Sequence, residues 1–194
     1  MNIRTLCEII GNQVNNIKTY TSFLNKEQIM ILKSYIGRTV QIINSQERKP
    51  DTNRLILVHT IILAFKLNQT FFKIIKNEWL ETEHYNYYWK LTIERSTKPE
   101  GINYDSNRKC YFGPHYSFNL PRSLKVNKIE IYDRAETIGE EIIRFDYGII
   151  FYLEEQITMA FFPMKSIADG IKMNLDKDSI EDAISECSLR QVIM

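Results

Sequence analysis

The sequence predicts an α+β fold: an N-terminal helical hairpin (residues 1–37), a central antiparallel β-rich body (38–165) and a C-terminal helical segment (166–194), packed as one compact domain. Three observations predict it. Residues 60–79, TIILAFKLNQTFFKIIKNEW, form two short apolar runs rich in β-branched side chains and parted at Asn68-Gln69, as in a strand, a tight turn and a return strand. A fainter echo, YGIIFYLEEQITMAFFPMKSI, covers residues 147–167 around Glu154-Glu155. At both ends the apolar period changes from two to between three and four, the stripe of an amphipathic helix.

In chain order, Ile3, Leu6, Cys7, Ile10, Val14 and Ile17 mark the first helix, which Gly11 weakens. Asn25 and Gln28 have the spacing of a capping box, opening a second helix that carries Ile29, Leu32 and Ile36 and stops at Gly37. Residues 39–44, TVQIIN, read as a strand, and 46–53, with Pro50 and several charges, as a loop. After the hairpin comes YYWKLTIER at 87–95, where Trp89, Leu91 and Ile93 alternate with Tyr88, Lys90, Thr92 and Glu94. Residues 96–121 hold Pro99, Gly101, Gly113, Pro114 and Pro121 and read as one long aromatic loop folded back on the body. A strand at 126–132, a polar loop at 133–142 and a second hairpin (144–153 with 157–162) follow. The last helix is marked by Asp178 and Glu181, with Ile180, Ala183, Ile184 and Cys187 on one face.

The order strand, polar loop, apolar strand, turn, strand occurs twice, so 38–95 and 122–165 are expected to be two similar three-stranded units joined by 96–121. Val40 and Ile42 then correspond to Ile129 and Ile131, and Leu63, Phe65 and Leu67 to Ile149, Phe151 and Leu153. Two such sheets can pair or pack face to face, burying their apolar strands from both sides.

Composition narrows the function classes. A chain of 194 residues can bury a core without staples, and 44% hydrophobic with 25% charged residues is ordinary globular usage. The net charge of +1 lacks the basic excess that neutralises phosphates, which disfavours nucleic acid as a partner. Cys7, Cys110 and Cys187 are odd in number and widely spaced, so they predict free thiols and a reducing cytoplasm. The longest apolar stretch, 55–65, is interrupted by His59 and Thr60 and falls well short of the roughly 20 residues of a membrane span.

Motifs for chemistry are scarce. No phosphate-binding glycine loop, nucleophile elbow, H-E-x-x-H pair or EF-hand loop is present. Glu81, Glu83 and His84 read as a solvated turn, since on a strand His84 would face away from the two carboxylates. Cys110 and His115 could pair as nucleophile and base, but they lack the partners of a zinc site. Glu47-Arg48-Lys49 has a nuclease-like Glu-x-Lys spacing, yet residues 1–50 contain no Asp to complete it. No cofactor is expected and nothing points to catalysis.

What the sequence does supply is aromatics, 12% of residues, gathered in HYNYYW (84–89) and KCYFGPHYSF (109–118). Tyr85, Tyr87, Tyr88, Tyr104, Tyr111, Phe112, His115 and Tyr116 are therefore the candidate contact residues, because tyrosine presents apolar area with a polar tip. The expected function is a non-enzymatic protein-binding module, of the class of immunity or antitoxin-type inhibitors of bacterial toxins. An enzyme or small-ligand binder with a pocket under 96–121, and a single-stranded nucleic-acid binder stacking bases on the aromatics, are the alternatives.

Overall fold

The computed structural model describes residues 17–45, 49–50, 56–58, 60–65, 72–96, 103–105, 107, 110–112, 116–165 and 170–194. They form fourteen strands and two short helices. In order these are β1 (Lys18–Ser22), α1 (Lys26–Lys33), β2 (Thr39–Ser45), β3 (Lys49–Pro50), β4 (Ile56–Val58), β5 (Thr60–Phe65), β6 (Phe72–Glu81), β7 (Tyr87–Ser96), β8 (Asn103–Asp105), β9 (Cys110–Phe112), β10 (Tyr116–Ile138), β11 (Glu141–Leu153), β12 (Thr158–Pro163), β13 (Ile171–Asn174), α2 (Lys177–Ala183) and β14 (Ser188–Ile193).

Twelve strands make one sheet, ten of them in the order β3-β4-β13-β12-β11-β10-β2-β5-β6-β7 with β1 added on β11 and β14 on β10, while β8 and β9 pair separately. Its spine is β10, 23 residues long. Its first part pairs antiparallel with β2 (Tyr116 opposite Ser45, Lys125 opposite Thr39), and its second with β11 (Ile129 opposite Phe151, Ile138 opposite Glu141). Since β10 holds one edge of β11, the other edge is shared in succession by β1, parallel at Glu141–Phe145, and β12, antiparallel at Ile149–Tyr152. The C-terminal β14 pairs with β10 at Ile129–Asp133.

The inner faces of the two ends of this sheet meet. Ile75 from β6 and Leu91 and Ile93 from β7 join Ile129 and Ile131 of β10, Ile149 and Phe151 of β11, and Phe161 of β12 in one buried cluster. Ile31, Leu32 and Tyr35 of α1 and its C-terminal turn close it. Phe151 lies edge-on to both Tyr35 (5.3 Å) and Phe161 (5.6 Å), pairings worth about 0.5–1.5 kcal/mol each beyond burial. Residues of opposite parity, Ile150, Ala160 and Phe162, form a second cluster with Tyr132, Tyr147 and Tyr152 beneath Ile180 of α2. Burial on both faces explains why β11 and β12 read as nearly continuous apolar runs. Gly148 makes room for its cross-strand neighbour on β12: a Cβ there would stand 2.9 Å from the Phe162 ring.

The α+β expectation is overturned. Among the described residues strands dominate, and the helices span only eight and seven residues. The expected helical hairpin fails at its link, since residues 18–22, KTYTS, are a strand: Thr19, Tyr20 and Thr21 suit a sheet edge. The helix proposed over residues 3–17 lies outside the described residues except for exposed Ile17. Its partner is present as α1, with the Asn25/Gln28 capping box formed in both directions at 2.9 Å and Gly37 beyond it at φ +75°. The C-terminal helical segment is only α2, capped by Asp176 and flanked by β13 and β14.

Three expected loops also contain strand, the first being 46–53, which holds β3 (Lys49–Pro50). Residues 133–142 continue β10 to Ile138, reverse at Gly139 (φ +60°), and enter β11. Within 96–121 lie β8, β9 and the start of β10; Pro121 falls in the register shift between Asn119 and Leu124, where the ladder does not use its missing N–H. The strands at 39–44 and 87–95 and the hairpin of β11 with β12 form as expected, the latter reversing through a 3-10 turn at Glu154–Gln156. Strands β5 and β6 pair as expected, and their turn at Asn68-Gln69 lies outside the described residues.

Candidate functional site

The most built-up polar surface lies where the turn between β6 and β7 meets the turn between β10 and β11. Thr82 closes the first turn: its N–H donates to the Asn86 carbonyl (2.9 Å) and its carbonyl accepts from the Tyr85 N–H (3.1 Å). Its Oγ1 accepts from the N–H groups of His84 (3.3 Å) and Asn86 (3.2 Å) and donates to Glu141 Oε2 (2.5 Å). Asn86 Nδ2 bridges the turns, donating to Glu141 Oε2 (2.8 Å) and the Ile138 carbonyl (3.3 Å). From β1, Lys18 forms an ion pair with Glu83.

Glu141 is the hub. It is 1% exposed, beneath the buried Thr82 and the half-buried Asn86 side chains that bond it. Burial pushes its carboxyl up, but the hydrogen bonds from Thr82 and Asn86 and the nearby Tyr20 phenol outweigh this and hold it below the usual range. Its second oxygen, Oε1, and the Tyr20 hydroxyl are both buried, and the phenol stands beside the carboxylate as a hydrogen-bond donor that helps hold it down. His84 Nε2 stops 3.8 Å from Oε1, with the imidazole mostly in solvent. Lys18 draws the Glu83 carboxyl down, and Glu83 in turn raises the Lys18 ammonium.

This framework holds Tyr85 outward. The residue is 76% exposed on backbone at φ 60°, a left-handed conformation that costs a bulky residue about 1–2 kcal/mol. Tyr87 is 44% exposed, while Tyr88 is half-buried with its ring 6.2 Å from Phe145.

The eight candidate contact residues fall on several elements. Tyr85, Tyr87 and Tyr88 share the end of the β6–β7 hairpin. Tyr104 and Tyr111 face each other in the backbone register of β8 and β9, Phe112 is opposite Asn103, and Tyr116 begins β10 opposite Ser45. His115 lies outside the described residues. Glu83 and His84 occupy an exposed turn, as the sequence indicated. Thr82, Asn86, Glu141, Tyr20 and Lys18 went unrecognised in the sequence, because their meeting depends on pairing across 59 and 55 residues. The one local signal was the Thr82-x-x-x-Asn86 pattern of a side-chain-locked turn.

Two other polar groups are structural in geometry. Glu130 accepts from Lys128 (2.7 Å), Tyr132 (3.0 Å) and Tyr152 (2.6 Å) on the face beside α2. Asp146 receives a two-pronged bond from Arg190 (2.5 and 2.7 Å) and the Leu24 N–H (2.6 Å), tying β14 and the entry to α1 onto β11. No group of three His, Cys, Asp or Glu among the described residues could hold a metal ion. No family model, no characterised protein and no solved structure matches this chain, so function is argued from these residues alone.

Proposed function

We propose that this chain is a non-enzymatic protein-binding module whose contact surface is the turn at 82–87, acting in the manner of the small inhibitors that neutralise toxin proteins by stoichiometric binding. Tyr85 carries the reading. Its large ring is held in water on left-handed backbone by a five-residue turn that Thr82, Asn86 and Glu141 lock in place. A pre-organised aromatic of this kind gives up little conformational entropy on binding, and tyrosine is enriched among residues that dominate interface energy. Exposed Tyr87 extends the apolar area, and the Lys18–Glu83 pair supplies a polar rim. The exposed carboxylates of Glu81, Glu83 and Glu140 repel phosphate, so a protein suits this surface better than nucleic acid.

A photo-reactive amino acid placed at position 85 in the source cells tests the reading, with the same group at exposed Glu27 on α1 as the control. The expected result is one discrete cross-linked partner from position 85 and none from 27. In reconstituted form, Tyr85→Ser weakens that complex by about tenfold or more. Equal labelling from both positions, or none from 85, removes the proposal.

A further inference from the structure

Strand β14 is a free edge. Among the described residues it pairs with β10 alone. The outer N–H and C=O groups of such a strand are a template for another strand, and edges are usually guarded by a charge, a proline or a bulge. β14 has the bulge without the charge. Its one charged residue, Arg190, is drawn inward to Asp146, which leaves Ser188, Leu189, Gln191, Val192 and Ile193 along the strand.

The bulge also sets the side chains. Leu189 stands opposite Tyr132 and Val192 opposite Glu130, and these two β10 residues share a face, since the Tyr132 hydroxyl donates to Glu130. Leu189 and Val192 therefore lie on one face, where an unbroken period of two would send them to opposite faces. Both are exposed, as is Met194 beyond them. Charge differs between the two ends of the strand. Exposed Glu186 precedes it, beside Arg134. Lys128 and exposed Arg38 stand past its far end, where Ile193 pairs with Ile129 and the Val126 N–H donates to the Arg38 carbonyl.

We infer that β14 pairs with β14 of a second copy of this chain, antiparallel about a two-fold axis beside the bulge, so that the sheet runs on from one copy into the other. Leu189 of each copy then packs against Val192 of the other. The same two-fold carries the acidic Glu186 end of each strand to the basic Lys128 and Arg38 end of its mate. A second copy suits this edge better than a foreign strand, because one sequence supplies both halves of each apolar and each charged contact. The pairing uses no residue of the turn at 82–87, and the dimer displays that turn twice.

The test is sedimentation of the whole chain from about 1 μM to about 500 μM. A six-residue edge makes a small interface, so the expected result is a reversible dimer, half-formed at about 10–100 μM. Val192→Lys should weaken it at least about tenfold with the melting temperature unchanged, because position 192 is exposed. The same charge at exposed Met30 on α1, Met30→Lys, should leave dimerisation as it was. A second arm needs no loss of stability to be read: Leu189→Cys chains are mixed with Val192→Cys chains, oxidised mildly, and the linked peptides identified by mass spectrometry. Links from 189 to 192 should exceed 189–189 and 192–192 links several-fold. A monomer at every concentration, a dimer indifferent to Val192→Lys, or links without that preference overturns the inference. A monomer that cross-links a different protein from position 192 also overturns it, and gives the edge to a foreign strand.

Discussion

Glu130 shows how far a single side chain in this sheet depends on its neighbours. Burial raises its carboxyl, but the Lys128 ammonium and the phenols of Tyr152 and Tyr132 more than compensate and bring it below the usual range. A carboxylate depressed in the folded state stabilises above its unfolded value, about 4.3, and loses that contribution as pH falls through the folded value. Glu130→Gln should therefore cost roughly 1–3 kcal/mol at neutral pH. Its denaturant midpoint should converge on that of the parent as pH falls through and below the lowered carboxyl value. A constant gap at all pH values would show that the carboxylate is not ionised in this network. The same group acts at the alkaline end: burial and then the Glu130 hydrogen bond push Tyr132 up to about 12. Stability from the neutral phenol is full below its unfolded value, about 10, and is lost as pH rises through the folded one. Burial and the same carboxylate also push Tyr152 up, so tyrosinate absorbance should show both phenols titrating late in the parent and earlier in Glu130→Gln.

At the scale of elements, β14 is fixed to the body by one charged contact as much as by its ladder. Arg190 leaves the strand at a bulge, where Leu189 and Gln191 oppose Tyr132 and Ile131, and grips Asp146 while its guanidinium lies 4.9 Å from the centre of the Phe23 ring. Burial raises the Asp146 carboxyl, and the bonds from Arg190 and Leu24 offset this only in part. Arg190→Ala leaves that carboxylate buried and unpaired, at a cost of about 3–5 kcal/mol. Asp146 then escapes the penalty by taking a proton, so the deficit grows as pH rises through its raised value and shrinks in mild acid. Stability measured at pH 5 and pH 8 tests this; an equal deficit at both would show that packing against Phe23, not charge, holds the strand.

Elements differ in how visible they were beforehand. The α1 cap was legible because a capping box is four residues of local chemistry. Strands β1 and β14 were not. Each is an edge strand with several exposed positions, so its sequence carries little of the alternation that one buried face imposes. The polar stretch before Gly139 looked like a loop because Glu136 and Arg134 are spent on ion pairs along β10, not on a turn. In the candidate site the exposed tyrosines could be read from composition. The hub could not, because Glu141 meets Thr82 only after β10 has delivered its turn to the end of the β6–β7 hairpin.

For the molecule as a whole, β10 is shared by both ends of the sheet, and the buried cluster draws on both. Asn77 on β6 reinforces the closure by donating to the carbonyls of Met164 (3.0 Å) and Gly170 (2.7 Å) beyond β12 and before β13. Such a molecule should unfold as one cooperative unit. In native-state hydrogen exchange, Ile129, Ile131, Ile149 and Phe151 should exchange only by global unfolding, at roughly 5–15 kcal/mol. The β6–β7 amides of Ile75 and Leu91 should follow the same denaturant dependence. If they exchange through a separate, lower-energy opening, the two ends are independent units despite the common strand.

The sequence by itself determined what depends on neighbours along the chain: the capped helix, the apolar strands of the two hairpins, the aromatic supply and the absence of familiar chemical motifs. Tertiary structure decided what depends on distant pairing: that the ends of the described chain add strands to the sheet, that the long middle loop is partly strand, and that a carboxylate at 141 anchors a turn at 82–87. The reason is that backbone hydrogen bonds and buried charges are satisfied between strands far apart in sequence, and residue order alone does not say which strands will meet.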